Sequence, residues 1–165
     1  SLEIANSSFA VTGTSWMDHE FSTSALGPNQ VGWDWFSIQL DNGSELMLFQ
    51  LRHVDASVSA YSSGTLISPD GKTTSLTESD FQIEVLDTWQ SPHSGAAYPA
   101  EWRISVPAKQ LELNVVPQMS DQELNVSFVY WEGSVRVSGA YSEQPVAGYG
   151  YVELTGYAHS MQRQF

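Results

Sequence analysis

Between residues 16 and 36 the chain reads Trp16-Met17-Asp18-His19-Glu20-Phe21 and then, past a Gly/Pro loop, Gly32-Trp33-Asp34-Trp35-Phe36. Three acids and one histidine thus stand beside three tryptophans. Burial beside indole raises a carboxyl pKa, because desolvation penalises the charged form. Such a group stays protonated near neutrality and can act as a general acid. Asp18, Glu20, Asp34, Glu132 and Glu153 all lie close to aromatics in sequence. Asp18, His19, Glu20 and Asp34 form the candidate catalytic set. The other role open to these carboxylates is structural. They can pair with Arg52, Arg103 or Arg136, or accept hydrogen bonds from Trp and Tyr.

Trp16, Trp33, Trp35 and Tyr130 sit in acid-rich surroundings and are candidates to line a cavity. Trp131, Glu132, Tyr151 and Glu153 join them as candidate ligand contacts, although Trp131, like Trp89 and Trp102, can equally fill a core. In an extended strand Asp18 and Glu20 share one face, while His19 takes the other with Met17 and Phe21. These three neighbours do not converge on a metal. His53, His93 and His159 show no metal-ligand spacing either. There is no cysteine and no Gly-x-Ser-x-Gly elbow. Gly43, Gly71 and Gly133 read as turn glycines rather than a phosphate cradle. The residues point to no metal and no cofactor.

The elements that must position these groups read as strands. Period-two alternation marks Trp102/Ile104/Val106, Leu111/Leu113/Val115, Leu124/Val126/Phe128/Tyr130, Val135/Val137 and Val152/Leu154. Asp41-Asn42-Gly43 predicts a hairpin between Trp33–Leu40 and Glu45–Arg52. Ser68-Pro69-Asp70-Gly71 predicts a tight turn, and Ser91–Gly95 a break. Glu132-Gly133 reads as a turn or bulge between two strands. One short helix fits Thr77–Phe81, capped by Thr77. About nine or ten short strands with little helix predict an all-β antiparallel sandwich or barrel. Residues 1–165 read as one domain. Strands with bulky residues on both faces, such as Trp33 and Trp35 against Phe36 and Ile38, need cover on both sides.

Composition narrows the function. The chain carries 19 acidic against 6 basic residues, a formal net charge of −13. A nucleic-acid partner needs a basic footprint, which this chain lacks. No apolar run is long enough to span a bilayer.

Several motifs occur in a fixed order: Trp16-Met17-Asp18-His19-Glu20, Gly32-Trp33-Asp34-Trp35-Phe36, Gln39-Leu40-Asp41-Asn42-Gly43, Tyr130-Trp131-Glu132-Gly133 and Gly150-Tyr151-Val152-Glu153-Leu154-Thr155-Gly156-Tyr157. With them the chain resembles the carboxy-terminal half of the carotenoid 1,2-hydratase (hydroxyneurosporene synthase) and AttH-like family, from about Val11 to Tyr157. The resemblance implies a lipocalin-like β-barrel, one of two in the parent protein, with an amino-terminal sister barrel or a homodimer partner. It implies an apolar polyene-, terpenoid- or lipid-like ligand, and a periplasmic or secreted bacterial setting. Two functions follow: lipophilic ligand binding, or a hydratase-like lyase or isomerase reaction. In the second, an acid protonates an alkene and aromatic faces stabilise the cation. By resemblance His19 belongs to that acid–base group. Position 21 is Phe where the family's hydratases tend to carry Trp.

Overall fold

Backbone pairing between alternating strands organises nearly the whole chain. The computed structural model describes residues 1–18 and 26–162. A hairpin of β1 (Leu2–Ile4) and β2 (Ser7–Phe9) stands apart. Ten further strands form one antiparallel sheet: β3 (Gln30–Leu40), β4 (Glu45–His53), β5 (Ser63–Ile67), β6 (Thr73–Thr77), β7 (Gln82–Gln90), β8 (Ala97–Val106), β9 (Leu111–Pro117), β10 (Glu123–Asn125), β11 (Val129–Tyr141) and β12 (Gln144–Leu154). The hydrogen-bonded order is β6-β5-β4-β3-β12-β11-β9-β8-β7, with β10 added on β11. The two end strands, β6 and β7, are joined in sequence by one 3-10 turn, Glu78–Asp80. The sheet therefore curls until its ends are neighbours, giving a lipocalin-like half-barrel. Thr77 ends β6 as expected of a cap: its backbone N–H and hydroxyl both donate to Asp80 Oδ2, at 2.8 and 2.6 Å.

The hairpin signals act where the residues placed them. Gly43 takes φ +81° in the β3–β4 turn, and Asn42 Oδ1 accepts from the Ser44 N–H at 2.9 Å. Three expectations change. Glu132-Gly133 is no turn: it lies inside β11, in unbroken register with Glu153 and Val152 of β12. The glycine serves a close approach instead. A Cβ at Gly133 would come within 2.3 Å of the Gln122 amide, which bonds Met119 O and the Ser134 N–H. The run Leu124–Tyr130 is no single strand either. The chain folds back after Asn125, and Leu124 becomes the cross-strand partner of Tyr130. Antiparallel partners share a face, so the alternation survives the fold-back. Third, residues 16–18 are irregular rather than extended in a ladder. Here the Trp16 indole N–H donates to Asp18 Oδ1 at 3.0 Å, a local bond that competes with strand pairing.

One face of the sheet makes the interior. Phe36 of β3 packs edge-on against Trp102 of β8, with ring centroids 5.6 Å apart at 88°. Those strands are separated by β12, β11 and β9 in the sheet, so the contact closes the curl. Trp102 also meets Trp131, and Ile38, Leu46, Leu48, Ile104, Leu113, Val115 and Leu154 are fully buried around them. Side chains thus occupy the middle of the half-barrel. Among the described residues, no helix is long and apolar enough to cross a membrane.

Because the Phe36–Trp102 contact joins strands that share no hydrogen bonds, truncating it should open the curl. We expect Phe36→Ala to cost about 3–5 kcal/mol of stability by urea unfolding, the range for deleting a buried aromatic. A loss under about 1 kcal/mol would show that the curl is held elsewhere.

Candidate functional site

Strict alternation along β3 sends neighbouring residues to opposite faces. Asp34, Phe36 and Ile38 turn inward; Trp33, Trp35, Ser37 and Gln39 turn outward. Two constellations result, one on each side of the same strand.

The inner one is built on Asp34. Its side chain is 4% exposed and meets Arg52 Nε at 2.9 Å. The Tyr157 hydroxyl donates to both carboxylate oxygens, at 3.0 and 3.1 Å. Arg52 in turn donates to the Thr155 carbonyl and lies 3.8 Å from the Tyr157 ring centroid, a cation–π contact. Thr155 Oγ1 accepts from the Trp33 N–H at 2.9 Å, and the Met161 N–H reaches Val31 O. The segment after β12 is thereby tied across β3 and β4. Gly32 permits the approach, since a Cβ there would collide with the Thr155 carbonyl at 2.2 Å. Burial raises the Asp34 pKa, and the Arg52 charge and the Tyr157 and Arg52 hydrogen bonds only partly reverse the rise. Burial and then the Asp34 carboxylate push the Tyr157 phenol up, so it stays a donor.

The outer constellation is a groove of about 460 Å³. Its floor is three strands wide. In register, Glu132 of β11 faces Glu153 of β12, which faces Trp35 of β3; the next row is Ser134, Tyr151, Ser37. Trp16 and Asp18 come from the irregular amino-terminal segment and form a wall. Trp16 meets Trp35 edge to face, with centroids 6.3 Å apart at 75°. The pair makes an aromatic corner over the floor.

The structure therefore distributes the candidate residues. Trp16, Asp18, Trp35, Glu132 and Tyr151 line the groove. Trp33, Tyr130 and Glu153 lie on the same outward face by alternation. Asp34 does not join them, because it faces inward. Trp131 is buried against Trp102, and its indole N–H donates to Ser120 O at 2.8 Å. His19 and Glu20 lie outside the described residues. Sequence reading missed Ser37, Gln39, Ser134 and Tyr149 as groove residues. Their parity with Trp35, Glu132 and Tyr151 was the available signal. Tyr157 as a partner of Asp34, and Thr155 as a partner of Arg52 and Trp33, had no local signal.

Comparison with known proteins places this geometry among relatives. The AttH-like family pattern matches residues 1–157. A protein from Nitrosomonas europaea assigned as AttH is 39% identical, with a TM-score of 0.73 over 82% of this chain and 42% of that one. Kievitone hydratase from Nectria haematococca is 20% identical, with a TM-score of 0.67 over 84% of this chain and 42% of that one, a likeness of fold. The chain spans less than half the length of either. Curated proteins yield no match.

A raised pKa on Asp34 has a definite consequence for stability. The folded chain binds this proton more readily than the unfolded one, whose carboxyl titrates near 3.8. The group's contribution to stability therefore grows as pH falls through the raised native value, and levels off below the unfolded value. Asp34→Asn removes the titration. Urea unfolding from neutral pH down to about 4 should show the native chain gaining stability relative to Asp34→Asn. A difference that stays flat, or runs the other way, would contradict the burial-dominated assignment.

Proposed function

The chain belongs to the AttH-like family, and from that premise we propose that it binds a lipophilic small molecule, polyene-, terpenoid- or lipid-like, in the groove over β3, β12 and β11. The observation that carries this reading is the Trp16–Trp35 corner above a floor holding Tyr151 and Ser37. Aromatic walls with a few polar anchors are what an apolar ligand needs. The interior of the half-barrel is filled by Trp102, Trp131 and Phe36, which leaves the outward face for the ligand. The groove is open on one side. A sister barrel, as the sequence resemblance implies, would cover it in the longer proteins.

A hydratase-like reaction is the second reading. The observation favouring it is that Asp18 and Glu132 stand in the same groove as Trp35 and Tyr151. These carboxyls, rather than the inward Asp34, would deliver a proton to a bound alkene, and the ring faces would stabilise the cation.

Calorimetric titration with farnesol, a neutral terpenoid alcohol, tests the binding reading. Trp35 faces outward, so Trp35→Ala should leave the fold intact and weaken binding about tenfold, or about 1.4 kcal/mol. Unchanged affinity in a folded Trp35→Ala variant would remove the groove as the site. Hydration of the alcohol that is lost in Glu132→Gln would extend binding to catalysis.

A further inference from the structure

Rings make up only part of the groove wall. Ser37, Gln39, Gln118 and Ser134 line it as well, bringing uncharged hydroxyls and amides among the aromatic side chains. The register gives their order. Ser134, Tyr151 and Ser37 share one row across β11, β12 and β3, and Tyr149 and Gln39 share the next. Both tyrosines are exposed. Gln39 and Ser134 are partly engaged: the Gln39 amide donates to Glu45 at 3.2 Å, and the Ser134 hydroxyl donates to Gln122 Oε1 at 3.3 Å. Each keeps acceptor capacity. Ser37 differs from them. It is 2% exposed and lines the groove, yet among the described residues its hydroxyl has no hydrogen-bond partner. Buried hydroxyls are bonded as a rule, because an unmade bond forfeits what desolvation took away. This one is aimed at the groove, where a ligand can complete it.

Resting on the ligand-binding reading above, we propose that the groove takes an amphiphile with an uncharged, sugar-type polyhydroxyl head. The head lies on Tyr151 with one hydroxyl bonded to Ser37, and the apolar tail runs to the Trp16–Trp35 corner. A pyranose ring has two kinds of surface, a C–H face and a rim of hydroxyls. The C–H face is weakly positive and packs on the negative face of an aromatic ring. The rim hydroxyls both donate and accept, which suits Ser37, Gln39, Gln118 and Ser134 together. Glu132, one row from Ser134, adds a carboxylate that accepts from a hydroxyl. An all-hydrocarbon ligand would seal these polar groups from water and replace none of their bonds. A sugar-type head uses rings and polar side chains at once, and it satisfies the one buried hydroxyl that the fold leaves open.

Calorimetry with two neutral amphiphiles of matched tail tests the head group: octyl β-glucopyranoside and octyl tetraethylene glycol ether, each below its micelle concentration. The ether head offers acceptors and one hydroxyl but no sugar ring. The glucoside should bind about tenfold tighter. Ser37→Ala removes a hydroxyl that bonds no described residue, so urea unfolding should stay unchanged. The same variant should erase most of the glucoside preference while leaving ether binding intact. Gln118→Leu, at an exposed position just past β9, should lower the preference independently of Ser37. If the two amphiphiles bind equally, the binding reading stands and the head-group assignment falls. If neither binds while farnesol does, the assignment again falls alone. If none of the three binds, it falls together with the binding reading. A glucoside preference that survives in both variants would also overturn the assignment.

Discussion

A β-strand cannot turn two neighbouring side chains to the same side, and β3 lives under that constraint with large residues at every position. Asp34, Phe36 and Ile38 take the interior; Trp33, Trp35 and Ser37 take the outside. A slip of one residue would bury the tryptophans and expose the carboxylate with its partners. The register is therefore overdetermined. Arg52 and Tyr157 hold Asp34 from one side, and the Glu153–Trp35–Phe49 row runs across the other. The core, the tie to the segment after β12 and the groove all inherit their positions from this one alternation.

The same constraint decides where the sheet is filled and where it stays open. In a half-barrel of ten strands the interior is narrow enough for side chains to fill it, and here they do. Phe36, Trp102 and Trp131 meet across the curl, so the inward face acts as a core. The outward face of β3, β12 and β11 carries Trp35, Tyr151 and Glu132 in an unsealed layer. Buried aromatics fill the core and the outward ones border the groove, although all come from the same short stretches of chain.

Much of this was legible in the residues, and the failures have physical causes. Asp41-Asn42-Gly43 and the alternating runs located β3, β4, β8, β9 and β12, because local rules set turns and strand parity. Asp34, grouped with the tryptophans beside it in the candidate set, is separated from Trp35 by strand parity in the folded sheet. The partners of Asp34 were harder to read. Arg52 lies 18 positions away and Tyr157 lies 123, and only the finished sheet order brings them together. Gly133 was misread because a glycine that makes room for Gln122 looks in sequence like one that makes a turn. Leu124–Tyr130 misled for the opposite reason: pairing across a tight fold-back preserves the alternation of a continuous strand.

The carboxyls divide between the two faces of the sheet. Inside, the Asp34 carboxyl meets the Arg52 guanidinium and the Tyr157 phenol, which offset only part of the cost of burying its charge. Outside, Glu132 of β11 and Glu153 of β12 are cross-strand partners on the face that carries Trp35 and Tyr151. The parity that turns Asp34 inward to Arg52 and Tyr157 turns these two carboxylates outward, so one alternation separates the carboxyl that ties the fold together from those that border the groove.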